Sequence, residues 1–412
     1  MKRLLVLGAG TAGTMTVNKL RKKLNPREWD ITVVDANTTH RYQPGYLFVP
    51  FGRYAETDLA HALKDHIDPG VTVVTDKVIA IHPAESKVEL EHGGMCDYDY
   101  LVIATGSTPR PEETPGMLGD LWRGSVFDFY TMDGATALAT AMESFDGGRL
   151  VVHVTELPIK CPVAPLEFAF LADEFFTNRG RRDQIDITYV TPLDGAFTKP
   201  VASRRLGKML DERGIGLEPD FMIEHLDNDR SEIVSFDERR IPFDLLVTVP
   251  VNMGADFVGA CGLGDELNYV KVDPGTFLAR GWDNVFAIGD AADLPTSKAG
   301  SVAHFAVEVF VENFLEHIEG HEMRLRFDGH ANCFVESGSG KALLIDFNYD
   351  VQPLPGKYPV PGIGPFSLLE ESSINHAGKL AFKWLYWNVL LPGRPIPVPT
   401  LMSMSGKKGE LE

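Results

Sequence analysis

The sequence predicts an α/β fold of two parallel β-α-β units, the second inserted into the first, followed by a C-terminal region of different character. Three observations carry this. The apolar run RLLVLG (residues 3 to 8) enters Gly8-Ala9-Gly10-Thr11-Ala12-Gly13, followed by a helical pattern over 12 to 24. A second strand, helix, strand series runs through 148 to 154, about 164 to 179, and 186 to 192, with 241 to 251 as a later strand. Beyond about residue 320 the pattern changes to a hairpin, a Pro- and Gly-rich loop and an amphipathic segment.

The bulk numbers fit a folded chain. With 412 residues, 44% hydrophobic and 24% charged, there is ample material for a buried core. A formal net charge of -19 repels a phosphate backbone, so nucleic acid is not an expected partner. The first glycines come too early for a secretory h-region, and the apolar run is too short to span a bilayer, so the chain reads as cytoplasmic. Cys96, Cys161, Cys261 and Cys333 form no C-x-x-C pair, and the histidines show no metal-ligand spacing. No metal is expected.

Each element has a reason. The glycine turn lets backbone amides approach a pyrophosphate at a helix N-terminus, and Asp35, 22 residues past Gly13 at the end of ITVVD, suits ribose hydroxyls. YDYLVIATGSTPR (98 to 110) reads as a strand ending at Ala104-Thr105-Gly106, and DNVFAIGDAAD (283 to 293) as one ending at Gly289-Asp290. These resemble the Ala-Thr-Gly and Gly-Asp motifs of FAD-binding flavoproteins with two dinucleotide domains. FAD is the implied cofactor, with Asp290 on its ribityl chain. The inserted unit is Rossmann-like in frame only: its first loop, TELPIKCPVAPLE, has no glycine and holds Cys161. A thiol there, ahead of a helix, is predicted to be favoured as thiolate by the helix N-terminus. Four regions follow: 1–112 and 266–320 for the FAD-binding domain, 113–265 for the Rossmann-like insertion, and 321–412 for the C-terminal region.

Taken end to end, the chain resembles the sulfide:quinone oxidoreductases of the flavoprotein disulfide reductase superfamily. The resemblance rests on GAGTAG, Asp35, ATG at 104 to 106, KCPVAPLEFAF, IGD at 288 to 290, KAG at 298 to 300, and Cys333-Phe334. It implies that sulfide attacks a Cys161–Cys333 disulfide or its sulfur-bridged form, leaving a persulfide, and that the other thiolate, Cys333, passes electrons to the flavin. Glu167 matches a family carboxylate that moves protons; a first-turn glutamate stabilised by the helix dipole reads the same. Lys298, ahead of Gly300 at a helix start, is implied to neutralise charge on the reduced flavin, against the plain alternative of a surface lysine. Phe334, with Phe366 or Phe382, is implied to clamp a quinone, though aromatics in a hairpin and helix also serve as core. One departure is that 125 to 134, where many members carry a third cysteine, has none.

The apolar stretch Leu380 to Leu391 is too short to span a membrane, yet Trp384, Tyr386 and Trp387 are interfacial types and the tail carries Lys379, Lys383, Arg394, Lys407 and Lys408. Residues 377–395 are therefore expected to dock peripherally on the cytoplasmic membrane, where a quinone is reached; a helix in a dimer contact would read the same, and a homo-oligomer stays open. Two other functions compete: a type II NADH:quinone dehydrogenase, which the glycine-free loop disfavours, and an FAD redox sensor without turnover.

Overall fold

The glycine turn sits between β1 (Lys2–Leu7) and α1 (Thr11–Lys23), in a computed structural model that describes residues 1–408 except 361. The chain returns through β2 (Trp29–Asp35), β3 (Thr72–Thr75) and β4 (Tyr100–Ile103). All pair in parallel in the order β4-β1-β2-β3, with Leu4 opposite both Ile31 and Tyr100. Leu4 to Leu7 are buried, as a central parallel strand covered on both faces requires. Arg21, Lys22 and Lys23 close α1, where its carbonyl end favours cations.

The insertion builds its own sheet from β5 (Val126–Phe127), β6 (Gly148–Val154), then α2 (Ala164–Asn178), β7 (Ile185–Val190), β8 (Gly216–Glu218) and β9 (Leu245–Val249). Its order is β5-β9-β6-β7-β8, again parallel. The strand read over 241 to 251 divides here. Arg240–Pro242 pairs antiparallel in a small separate sheet, and β9 starts only after Asp244, whose carboxylate accepts from the Arg149 amide at 2.8 Å. The divide has a local cause, since Pro242 brings no amide to continue a ladder.

Strand β10 (Val285–Ala287) then pairs with β4 and completes the first sheet. Next, α3 (Gly300–Ile318) lies along α1, with Lys19 paired to Glu308 at 2.6 Å and Lys23 to Glu312 at 2.5 Å. The C-terminal region opens with the hairpin β11 (Ala331–Gly338) and β12 (Lys341–Phe347).

The segment read as a loop over 351 to 366 contains most of a second hairpin, β13 (Gly356–Val360) and β14 (Gly364–Leu368), giving the order β11-β12-β14-β13. Its prolines hid it. Pro359 and Pro365 face each other across the pair, on an edge strand and near a strand start, where a missing N–H breaks little of the ladder.

Last comes α4 (Ser373–Leu385), capped by Ser372, whose hydroxyl accepts from the Asn375 amide at 3.1 Å, and continued by a π-turn over Tyr386–Leu390. No helix among the described residues is long and apolar enough to cross a membrane. Of the three aromatics read as interfacial, only Trp384 is exposed, at 65%; Tyr386 and Trp387 are buried, at 1% and 7%.

Candidate functional site

A cleft of about 610 Å³ runs from the glycine turn to the cysteine loop. Gly8, Gly10, Asp35, Ala104, Thr105, Gly106, Gly289, Asp290, Lys298 and Gly300 all line it, and so do Cys161 and Glu167. Gly13 does not line it; a Cβ there would fall 1.9 Å from the Gly8 carbonyl oxygen, so its role is the close approach of α1 to β1. Gly8 has φ +93, which favours glycine, whereas a Cβ on Gly10 would meet nothing within 4 Å. The backbone is thus open at the N-terminus of α1, where a pyrophosphate would approach.

The polar groups fit a dinucleotide as well. Asp35 holds the turn through the Ala9 amide at 2.7 Å and still lines the cleft. Thr105 keeps a buried hydroxyl with no protein partner. Burial raises the pKa of the Asp290 carboxyl, opposed by Lys298 and Lys160. Lys298 is no surface lysine: its Nζ donates to the Asp290 and Ala292 carbonyls at 3.0 and 2.9 Å and lies 3.7 Å over the Tyr269 ring. Burial pulls its pKa down to about 8. Two of its three protons are therefore spent on backbone, within a wall that also lines the cleft.

Cys161 ends the glycine-free loop in a left-handed conformation, φ +46, which costs a non-glycine residue about 1–3 kcal/mol. Its neighbours hold it there. The Cys161 amide donates to the Lys298 carbonyl at 2.6 Å, while its own carbonyl accepts from Ala164 N at 2.8 Å and Tyr130 Oη at 3.1 Å. Cys333 stands on β11, which packs against α2; it is half-buried but does not line the cleft. Both cysteines are free thiols, close enough for Cys333 to bear on the ionisation of Cys161.

Both cysteines feel a lysine that the sequence places in the membrane-facing tail. Lys379 of α4 reaches inward, its Nζ bonded to Glu167 Oε1 and donating to the Phe334 carbonyl at 3.1 Å. Glu167 is 0% exposed, and its Oε1 also accepts from the Glu336 amide at 2.5 Å. Burial pushes the Cys161 thiol well up and Glu167 adds to it; Lys379 and the Ala164 amide oppose this and lose. Cys333 is pushed up to about 12, chiefly by burial and against Lys379. The thiolate predicted at Cys161 from the helix N-terminus is thus not the resting form: α2 starts three residues on, and burial outweighs its dipole.

The aromatic residues separate into two groups. Phe334 and Phe366 meet edge to face with centroids 5.2 Å apart, over Gly378, where a Cβ would fall 2.6 Å from Phe366. Phe382 lies instead against Gly300 at the start of α3. Further wall residues carried no motif. His40 Nε2 lies 2.6 Å from Tyr386 Oη, which lies 2.8 Å from Thr11 Oγ1, tying the C-terminal helix to the glycine turn. Burial lowers the His40 pKa to about 4, so the imidazole is neutral at pH 7.

Comparison with known proteins finds relatives along most of the chain. The family described as pyridine nucleotide-disulphide oxidoreductase matches residues 2–153. A mitochondrial sulfide:quinone oxidoreductase of Dictyostelium discoideum is 27% identical over 399 residues, 95% of this chain and 86% of that protein. The chain is thus similar to sulfide:quinone oxidoreductases along nearly its whole length. The solved sulfide:quinone oxidoreductase of Aquifex aeolicus shares its fold, with a TM-score of 0.78 at 18% identity, covering 96% of this chain and 92% of that one. A type II NADH:quinone oxidoreductase of Staphylococcus haemolyticus is 39% identical, but over 107 residues and 26% of each chain. The glycine turn, Asp35, Thr105 and Asp290 that line the cleft suit a dinucleotide such as FAD.

Proposed function

We propose that the protein oxidises sulfide through Cys161 and Cys333 and delivers the electrons, by way of FAD, to a membrane quinone. One observation carries the reading. Where a nicotinamide-binding loop would have glycines, a cysteine in a strained conformation lines the cleft and shares Lys379 and Glu167 with a second cysteine.

FAD, when bound, supplies a two-electron acceptor. The chain's own residues do the rest. Hydrosulfide attacks a Cys161–Cys333 disulfide: one S–S bond breaks, another forms, and a persulfide and a thiolate result. Lys379, bonded to Glu167 and bearing on both thiols, favours negative charge on the sulfurs that burial alone would refuse. Glu167 Oε2, buried and without a partner, takes the proton released by hydrosulfide. Phe334 and Phe366 form an apolar edge-to-face pair suited to a quinone ring, with Phe382 nearer the start of α3.

The quinone reading also draws on the outer surface of α4. Ile374, Ala377, Leu380, Ala381 and Trp384 are exposed along it, and Ile363 and Val360 are exposed on the β13–β14 hairpin. An apolar outer face suits peripheral docking on a bilayer.

The test is anaerobic mixing of the FAD-loaded protein with sulfide, and separately with NADH, followed at about 450 nm, the oxidised flavin's own band. Sulfide bleaches the flavin, NADH does not, and Cys161→Ser and Cys333→Ser each abolish bleaching with FAD retained. Bleaching by NADH alone would refute the proposal.

A further inference from the structure

Two buried glutamates are joined where the Glu336 amide donates to Glu167 Oε1 at 2.5 Å, near enough for Glu167 to bear on both cysteines, and neither carboxylate is fully paired. Glu167 on α2 gives Oε1 to Lys379 and to the Glu336 amide, while its Oε2 has no partner. Glu336 on β11 is likewise 0% exposed; its Oε1 lies 2.7 Å from His376 Nδ1 and 3.7 Å from Arg53 Nη1, and its Oε2 is also unpartnered. A network that only braced α4 against the hairpin would satisfy these oxygens, because a buried carboxylate oxygen without a donor is costly. His376 is the member that reaches the surface, its side chain 21% exposed.

We infer that Glu336 and His376 form a proton route from Glu167 to solvent, which clears the proton released when hydrosulfide attacks the cysteine pair. The inference rests on the sulfide reading above. In that attack the hydrosulfide proton leaves sulfur for Glu167 Oε2, with no other oxidant or reductant needed. Left there, it would return to the sulfur and favour reversal of the attack, so its removal commits the same reductive step. It passes to Glu336, whose carboxyl gives it to His376 Nδ1, and the imidazolium releases a proton from Nε2 to water. The two carboxylates return to their starting state, and the imidazole, left with its proton on Nδ1, resets by exchanging tautomers through solvent, so no net charge accumulates in the buried site.

The charges facing His376 fit a relay. Glu336 faces it from β11, and Arg53, which also pairs with Glu174 of α2, touches the same carboxylate. Lys379 lies one turn along α4 and Glu167 beyond it on α2. Burial raises the Glu336 pKa, opposed first by His376, so the carboxyl holds a proton more readily than an exposed one.

The experiment is anaerobic stopped-flow reduction of the FAD-loaded protein at saturating sulfide, across pH, for the wild type, His376→Gln and His376→Asn. Either variant should slow flavin bleaching by on the order of tenfold or more, flatten its pH profile and recover with added imidazole, at unchanged FAD content. Two variants are used so that a misfolded one, seen by lost FAD, leaves the other to decide. Bleaching at the wild-type rate, or slow bleaching that imidazole does not relieve, would overturn the relay while leaving the sulfide reading intact. A wild type that sulfide does not bleach would remove the sulfide reading itself, and the relay with it.

Discussion

Lys379→Met removes the only cation bonded to Glu167 among the described residues and leaves that carboxylate, 0% exposed, with the Glu336 amide alone. Deleting one partner of a buried pair costs about 3–5 kcal/mol, because the other is stranded as an uncompensated charge. Glu167 escapes part of this by protonating, at about 1.4 kcal/mol per pKa unit, and burial already biases it that way. The expected loss is therefore about 3 kcal/mol, a large share of a stability of roughly 5–15 kcal/mol. Lys379→Met with Glu167→Gln leaves no buried charge at that spot and should recover most of it. Equilibrium urea unfolding of the FAD-loaded protein reads the difference as a midpoint shift at constant m-value. A single variant within about 0.5 kcal/mol of wild type, or a double no more stable than the single, would refute the view that Lys379 compensates Glu167.

Two further outcomes follow from the same structure. The buried His153 imidazole has its pKa lowered by burial from 6.5 to about 3, so its contribution is present above pH 6.5 and is lost as pH falls toward 3. That amounts to up to about 5 kcal/mol at full protonation, so in pH-dependent unfolding His153→Gln should flatten the acid decline; an unchanged slope would remove His153 as its source. On the outer face of α4, Leu380→Ser with Trp384→Ser removes two exposed apolar side chains worth about 1.5–3 kcal/mol each when buried in lipid. Co-sedimentation with anionic vesicles should fall by roughly two orders of magnitude in partitioning at unchanged flavin absorbance, and equal sedimentation would discard this face as the membrane contact.

The elements that the sequence discloses best are those whose local chemistry is also their tertiary role. A buried parallel strand ending in glycines has to be apolar and then tight, so β1, α1 and β2 fall within a residue or two of their predicted ends. Gly8, Gly10, Asp35, Thr105 and Asp290 were legible for the same reason. Glu336, His376 and His40 were not: each is held by a partner 31 to 346 residues away, and no spacing along the chain records that. The left-handed Cys161 was equally silent, because its conformation is imposed by Lys298, Tyr130 and Ala164.

Helix α4 explains the one misplacement that matters for function. Lys379 reads, with Lys383, Arg394, Lys407 and Lys408, as a basic residue of a membrane-facing tail. In the folded helix Asn375 and Lys379, with Tyr386 just beyond, turn toward the protein and bond within it, while Ile374, Leu380 and Trp384 face outward. An inside-out helix arises when a polar site lies on one side and something apolar is to cover the other. Removing residues 379 to 412 would therefore take Lys379 from the sulfur site and Tyr386 from the glycine turn together with any membrane contact. Only substitutions confined to the outer face separate anchoring from chemistry.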